Sequence, residues 1–218
     1  MMTMRAFKHN QNGVVLFIAL VALVVMSIAA AALIRNVDTN TKIAGNLSFK
    51  QSALISSDRG VEAAMAWIQT TANVDVNNLN TSSSANGYYA IYGDLDINPA
   101  TTPALNLDDP AVLKDNSVWA NYSVPATGTG ITGGLENDSK NTINYIIERM
   151  CTAELAPAND VNNKCLFGES DPGGGSKGVK TAEQAGAIIN SSASPIYRVT
   201  VRVTGPQNTQ VFSQAYAY

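Results

Sequence analysis

The chain opens with a basic, polar segment that gives way to an uninterrupted apolar run. Residues 14–34 carry no charge, and Ser27 is their only polar side chain. About 21 such residues, each rising 1.5 Å along a helix, match a hydrocarbon core of about 30 Å. The run therefore predicts a membrane-spanning helix, and Arg5 and Lys8 before it favour a cytoplasmic N-terminus. A cleaved signal peptide is the rival interpretation, but its apolar region would be only about 7–15 residues long.

Beyond residue 34 the pattern becomes amphipathic, and residues 35–70 predict a continuation of the same helix. Apolar side chains recur seven positions apart, at Leu47, Leu54, Val61 and Ile68. This spacing places them on one helix face, which we expect to pack against a globular head. Gly45 and Gly60 are weak points, each costing about 1 kcal/mol relative to alanine. The helix is predicted to end near Trp67.

The C-terminal part of the chain alternates apolar and polar side chains, as a strand does. In residues 196–204, "IYRVTVRVT", one face is Tyr197 and three valines and is predicted to be buried; the other is Arg198, Arg202 and two threonines and is predicted to face water. A turn at residues 205–208 returns the chain as a second strand. Residues 142–150, "TINYIIERM", predict a further strand, as do residues 87–92 and 118–124. The predicted fold is α+β: a long N-terminal helix packed on a C-terminal antiparallel sheet within a head of residues 71–218.

Two cysteines, Cys151 and Cys165, bracket a polar loop in this head. Free thiols, a metal clip and a disulfide are all compatible with two cysteines. The only histidine, His9, lies before the apolar run, so the head has none to complete a zinc site. Outside the cytoplasm a disulfide is favoured. Closing a loop of about 14 residues contributes roughly 3 kcal/mol in the chain-entropy model.

Composition argues against several other classes of function. A single histidine excludes histidine triads and histidine general bases from the head. The net charge is -3 and no long Lys/Arg block occurs, so no nucleic-acid partner is predicted. Asp94, Asp96 and Asn98 imitate the start of a calcium loop, but Pro99 and Leu105 occupy positions that require glycine and glutamate. We expect no enzyme activity, no metal site and no cofactor.

Gly13 lies between the basic segment and the apolar run, and the residues on both sides of it suggest a processing site. A short basic leader, a terminal glycine and an uncharged run that continues into an amphipathic helix resemble the type III signal of type IV pilins. In that family a prepilin peptidase cuts after the glycine and methylates the new N-terminus. The resemblance implies a leader of residues 1–13, a cut between Gly13 and Val14, and Val14 as the first mature residue. A residue without a side chain lets the peptidase approach the scissile bond.

The sequence departs from the usual pilin pattern at one position, and this departure points to a particular group of pilins. Most pilins carry glutamate at the fifth mature position, and Ile18 occupies it here. In the family that carboxylate is thought to meet the charged N-terminus of a neighbouring subunit, which would otherwise be a costly unpaired charge. Minor pilins of the PilX group also lack it. Residues 13–64 resemble the N-terminal block of PilX-type assembly proteins, and residues 197–215 resemble their C-terminal hairpin.

The resemblance implies a role in assembly. A PilX-type minor pilin waits in the inner membrane, joins a priming complex that initiates the type IV pilus, and lies at or near the pilus tip, supporting adhesion and twitching motility. The implied partners are the prepilin peptidase, other minor pilins, the major pilin and a PilY-type tip adhesin. Small residues in the span are expected to permit helix packing.

Three other functions stay open at this stage. A pseudopilin of a type II secretion or DNA-uptake system would share the leader and the helix. A membrane-anchored enzyme has little support, since the paired carboxylates Asp108 and Asp109 suit a solvated surface. A surface-binding module could use Tyr88, Tyr89, Tyr92 or Trp119, although core packing explains such aromatic residues at least as well.

Overall fold

The structure is a computed structural model that describes residues 14–92, 106–155, 157–158, 164–168 and 194–218, with the backbone of residues 179–181. The chain divides into two compact units, Met1–Ser48 and Phe49–Tyr218. The boundary falls within the long helix α1 (Val14–Val74), which contributes residues to both units. The predicted α+β class, with a long N-terminal helix and a C-terminal antiparallel sheet, is confirmed.

Helix α1 ends later than its pattern predicts. It reaches Val74 rather than the vicinity of Trp67, and Asp75 then caps a 3₁₀ turn, Val76–Asn80, by accepting a hydrogen bond from the Asn77 N–H at 2.9 Å. The Asn/Ser/Thr-rich segment that follows Trp67 therefore begins with helix. Such residues are poor helix formers but good caps, so they end the helix only where a cap geometry forms.

Seven short and long strands build the main sheet of the head. They are β1 (Tyr88–Tyr89), β2 (Val124–Pro125), β3 (Ile131–Thr132), β4 (Leu135–Glu136), β5 (Thr142–Arg149), β9 (Tyr197–Gly205) and β10 (Thr209–Ala217). The order is β10-β9-β5-β4-β3, and β1 and β2 also pair with β5. All pairs are antiparallel except β1 with β5. The predicted strands at residues 142–150 and 196–204 and the C-terminal hairpin are confirmed.

Small side chains form the buried face of α1 in the head. The buried positions are Ala53, Ser56, Ser57, Gly60, Ala64 and Ile68. The predicted heptad face is wrong in part, because Leu54 is 56% exposed whereas Ile68 is 8% exposed. A Cβ atom on Gly60 would lie 2.6 Å from Val201 Cγ1 and 2.9 Å from Ile143 Cγ2. The helix therefore approaches the sheet more closely than a leucine face would allow.

The opposite face of the sheet is covered by two short helices, α2 (Pro110–Lys114) and α3 (Asn116–Tyr122). The prediction of a strand at residues 118–124 is wrong over α3. The Asp115 carboxylate accepts hydrogen bonds from the backbone and hydroxyl of Ser117, each at 2.8 Å, which starts a helix at that point. Trp119 lies within this layer, 1% exposed, and its indole N–H donates to the Leu113 carbonyl at 2.8 Å.

This second layer also corrects the prediction that β9 has one wet face. Arg198 is 1% exposed and Thr200 is fully buried, although both lie on the face predicted to be solvated. The valines of the other face, Val199 and Val201, are buried against α1. Strand β9 is therefore a central strand covered on both sides over this part of its length. Polar and apolar side chains alternate along it, but both kinds are buried here.

Three further strands form a second sheet in the order β7-β6-β8: β6 (Leu166–Gly168), β7 (Val179–Thr181) and β8 (Ser194–Pro195). A disulfide joins Cys151 to Cys165 beside it, which confirms that pairing. Both cysteines are 1% exposed and pack with Phe167. The bond links the end of β5 to the start of β6.

Candidate assembly surface

The first half of α1 is an exposed apolar helix. Every residue from 14 to 34 is exposed, with large side chains ranging from Val21 at 46% to Met26 at 72%. Within the described residues α1 is the one helix that is long and apolar enough to cross a membrane. An uncharged helix with all its side chains exposed is suited to lipid or to other helices rather than to water. This fits a membrane anchor.

The predicted processing site lies at the edge of this helix. Gly13 falls outside the described residues, so the geometry of the Gly13–Val14 bond is not part of the structure. Val14 is the first described residue and the first helical one. The first turn of α1 contains no acidic residue, and Asp38 is the first carboxylate along the helix. Ile18, the fifth residue counted from Val14, is 60% exposed.

Four of the seven small residues of the span lie on one side of the helix. At 100° per residue, Ala19, Ala22, Ala29 and Ala30 fall within an arc of about 100°, whereas Ser27, Ala31 and Ala32 lie outside it. The Ser27 hydroxyl donates to the Leu23 carbonyl at 2.7 Å, so its polar group is satisfied within the helix. Small side chains let helix backbones approach one another in a membrane. The neighbouring surface is a shallow apolar groove that Phe17, Ile18, Val21, Ala22, Val25 and Met26 line.

Two ionic clusters stabilise the head. In the first, Arg198 donates from Nε and Nη2 to one oxygen of Glu148, at 2.9 and 2.5 Å, and from Nη1 to Asp108 at 2.5 Å. Its guanidinium carbon lies 4.8 Å from the centre of the Tyr92 ring, whose hydroxyl donates to Asp108. Burial alone would lower the pKa of Arg198, but the two carboxylates outweigh it and raise the pKa, so the guanidinium stays charged.

The second cluster ties α1 to the turn after β4. Glu136 is 6% exposed, and its carboxylate accepts hydrogen bonds from the hydroxyls of Ser56 and Ser139. Arg59 completes the site with an ion pair. Burial alone would raise the pKa of Glu136, but these hydrogen bonds and the Arg59 charge outweigh it and hold the pKa below its usual range. Asn141 donates to Ser56 at 2.7 Å and closes the network.

The aromatic residues considered for surface binding are mostly buried. Tyr88 and Tyr89 are 0% and 1% exposed, and their hydroxyls donate to the carbonyls of Leu79 and Tyr122 at 2.5 and 3.0 Å. Burial raises the pKa of both phenols. Tyr92 retains 39% exposure. Core packing therefore accounts for Tyr88 and Tyr89, as it does for Trp119.

The described residues contain no group of three or more histidine, cysteine or acidic side chains arranged to hold a metal ion. The calcium-like residues Asp94, Asp96 and Asn98, with Pro99 and Leu105, lie outside the described residues. Asp108 is paired with Arg198, whereas the Asp109 carboxylate caps α2 by accepting from the Ala111 N–H at 2.8 Å. These two carboxylates thus act separately.

Sequence reasoning missed both ionic clusters. The cluster around Arg198 was indicated only by two arginines in a strand that alternates apolar and polar residues, and arginines in such a strand can equally face water. The cluster around Glu136 was indicated only by Ser56, Ser57 and Arg59. In an amphipathic helix these three residues suggest the polar, solvent-facing side. Only the close approach at Gly60 turns that side toward the sheet.

No protein-family model, no curated protein and no solved structure matches this chain.

Proposed function

We propose that this chain is a minor pilin of PilX type, a subunit that helps to initiate a type IV pilus and lies at or near its tip. The observation that carries the proposal is the exposed, uncharged run of residues 14–34 in α1, which follows Gly13 in the sequence and belongs to a helix that continues into an α+β head. The membrane-compatible length of its first half supports an anchor in the inner membrane before assembly.

The proposed mechanism is assembly without chemistry by the chain itself. The prepilin peptidase removes residues 1–13 and methylates Val14, and the apolar helix then moves from lipid into contact with the helices of sister subunits. Apolar area gains little by this transfer, because lipid chains are as apolar as leucine. Packing between backbones must therefore supply the free energy, and the arc of Ala19, Ala22, Ala29 and Ala30 is the surface suited to it.

Ile18 bears on the position that such a subunit can occupy in a filament. In a filament, the charged N-terminus of an added subunit needs a carboxylate partner in an apolar surrounding. A subunit with Ile18 cannot offer that partner to the next one. It is therefore suited to the end of the filament, with other minor pilins, the major pilin and a PilY-type adhesin as its partners.

Filament counts in a deletion strain test the proposal. We expect the strain lacking this chain to carry far fewer surface pili, and the wild-type chain to restore them. A chain with Gly13→Leu should not restore them, because the peptidase would lose its unhindered scissile bond. A matched control, Gly45→Ala, changes a glycine with open space around it and should restore pili fully. Normal piliation in the deletion strain would contradict the proposal.

A pseudopilin of a type II secretion or DNA-uptake system is the second candidate. The same leader and helix favour it, and the K-type tip pseudopilin of type II secretion also lacks the glutamate. It should carry a larger inserted head than this chain has. The deletion strain separates the two, because loss of secretion or of DNA uptake with normal pili favours the pseudopilin.

A further inference from the structure

The three most exposed large apolar side chains of the described head lie close together. Val74, Leu155 and Val76 are 78%, 74% and 62% exposed, the highest values for such side chains among the described residues of 71–218. The Leu155 N–H donates to the Asn80 carbonyl at 2.8 Å, and Asn80 ends the 3₁₀ turn that begins with Val76. A turn of five residues is only about 10 Å long. The three side chains therefore form one apolar patch.

Leu155 also has an unfavourable backbone conformation. Its φ is +61°, in the left-handed region that glycine and asparagine adopt readily and leucine rarely does. Asparagine would cost less in this conformation and would not expose an apolar side chain. Leucine is thus unfavourable here on two separate counts, conformation and exposure. Backbone strain of this kind is concentrated at functional positions.

Further hydrogen bonds fix the backbone around Leu155. The Ala153 carbonyl accepts from Arg149 Nη2 at 3.1 Å, and Arg149 is 1% exposed. The Glu154 carboxylate accepts from the Ser82 N–H at 2.6 Å. The disulfide closes the loop that carries these residues. The exposed leucine is therefore held in place before a partner arrives, which lowers the entropic cost of binding.

We propose that Leu155 is the central contact of a binding surface for another protein, which contributes an apolar pocket with a lysine or arginine at its rim. The basic rim follows from two carboxylates, because Asp75 lies between Val74 and Val76 and Glu154 precedes Leu155. Apolar side chains with acidic neighbours are complemented by a pocket of this kind. The proposal rests on the head alone and is independent of the pilin assignment.

A membrane and a second copy of the chain are less suitable occupants. Insertion into a bilayer would bring the carboxylates of Asp75 and Glu154 to the lipid surface, where anionic headgroups repel them. A symmetric pair of copies joined through the patch would place the same carboxylates opposite each other, which is unfavourable. The one basic residue of the disulfide loop, Lys164, adjoins Cys165 at the base of the loop.

Photo-crosslinking in the cells that make the full chain tests the proposal. The probe is p-benzoylphenylalanine in place of Asn78, an exposed residue of the same 3₁₀ turn. Light should join the wild-type head to one other protein. The cross-linked peptide of that protein, sequenced by mass spectrometry, should contain apolar residues with a lysine or arginine beside them.

Three variants of the probe-carrying chain make the result specific. Leu155→Asn should reduce the adduct at least about tenfold, yet should not lower the thermal unfolding midpoint, because asparagine tolerates a positive φ. Leu135→Asn makes the same change at a leucine that is 43% exposed and has no positive φ, so it should leave the adduct intact. Asp75→Asn keeps the oxygen that caps the turn but removes the charge, and should reduce the adduct about two- to fivefold.

Four results would overturn the proposal. The first is an adduct that Leu155→Asn leaves unchanged. The second is a lower unfolding midpoint of that variant, since Leu155 would then support the fold of the head. The third is cross-linking only to lipid or to residues of this chain, in the same or a second copy, which would identify a different occupant. The fourth is an equal adduct with Asp75→Asn, which would exclude the basic rim.

Discussion

Gly60 is a residue at which α1 lies very close to the sheet of the head. The helix surface on either side of it is made of serine and alanine, and the sheet presents Val201 and Ile143. Sequence reasoning treats a glycine in a helix as a weak point, because glycine costs about 1 kcal/mol relative to alanine. Here its missing side chain is required by the packing, so the local cost is offset by a closer contact.

Alanine at this position should destabilise the head. The added Cβ atom would lie 2.6 and 2.9 Å from two side-chain carbons, and overpacking of this kind costs about 1–3 kcal/mol, more than the gain in helix propensity. We expect Gly60→Ala to lower the free energy of unfolding of the head by about 1–2 kcal/mol. Denaturant unfolding followed by tryptophan fluorescence measures it. Gly45→Ala, with no atom within 4 Å of its Cβ, is the control. Equal effects of the two substitutions would contradict this packing.

Glu136 makes the stability of the head depend on pH. Its pKa is held below the usual range in the folded state, so its contribution is present at neutral pH and is lost as the pH falls through the lowered pKa. We expect Glu136→Gln to be less stable than wild type at pH 7, and the difference to shrink below about pH 4. Unfolding midpoints at the two pH values measure this. A constant difference would show that the Glu136 charge has no part in stability.

At the scale of elements, the sequence was informative where periodicity and chemistry agreed. The alternation in β9 and β10 and the apolar content of β5 are confirmed, because each strand had a clear period and a turn beside it. The face of α1 was misjudged because leucine was taken as the sign of burial. Small residues form the buried stripe instead, and Leu54 lies outside it. Periodicity reports a face but not the distance at which it packs.

Two further elements show what a single sequence leaves out. The segment "SVWANY" has the composition of a strand, yet the Asp115 cap makes it the helix α3. Arg198 looked solvated because its burial depends on Glu148, 50 positions away, and on Asp108, 90 positions away. In the candidate assembly surface, the uncharged run of residues 14–34 could be predicted completely, because length and composition alone define a membrane-spanning helix.

The disulfide connects two strands, β5 and β6, and its contribution to stability can be tested by removing it. It closes a loop with a sequence separation of 14 residues between β5 and β6. We expect the double variant Cys151→Ser/Cys165→Ser to lose roughly 3 kcal/mol of stability, the value of a loop of that length. Thermal unfolding with and without a reductant measures it. Reductant should lower the midpoint of wild type and leave the double variant unchanged, and an equal response of both would show that the bond does not stabilise the head.

Across the whole molecule, charge is distributed differently in the apolar run and in the head. The first 21 residues of α1 from Val14 carry no charge, whereas Arg198 and Glu148, both buried in the head, are paired with each other. The head therefore needs no partner to satisfy these charges. The apolar helix, in contrast, requires lipid or other helices around it. This division fits a membrane anchor joined to a folded head, as the proposed function requires.

Mass spectrometry of the N-terminus of the chain purified from its own membrane tests the central claim most directly. The pilin assignment predicts that the first residue is Val14 and that its amino group carries one methyl group, because cleavage after Gly13 must precede assembly. A strain without the prepilin peptidase should yield the uncut chain. An intact Met1 in the wild-type strain, or a cut near Ala32 as for a signal peptide, would contradict the assignment.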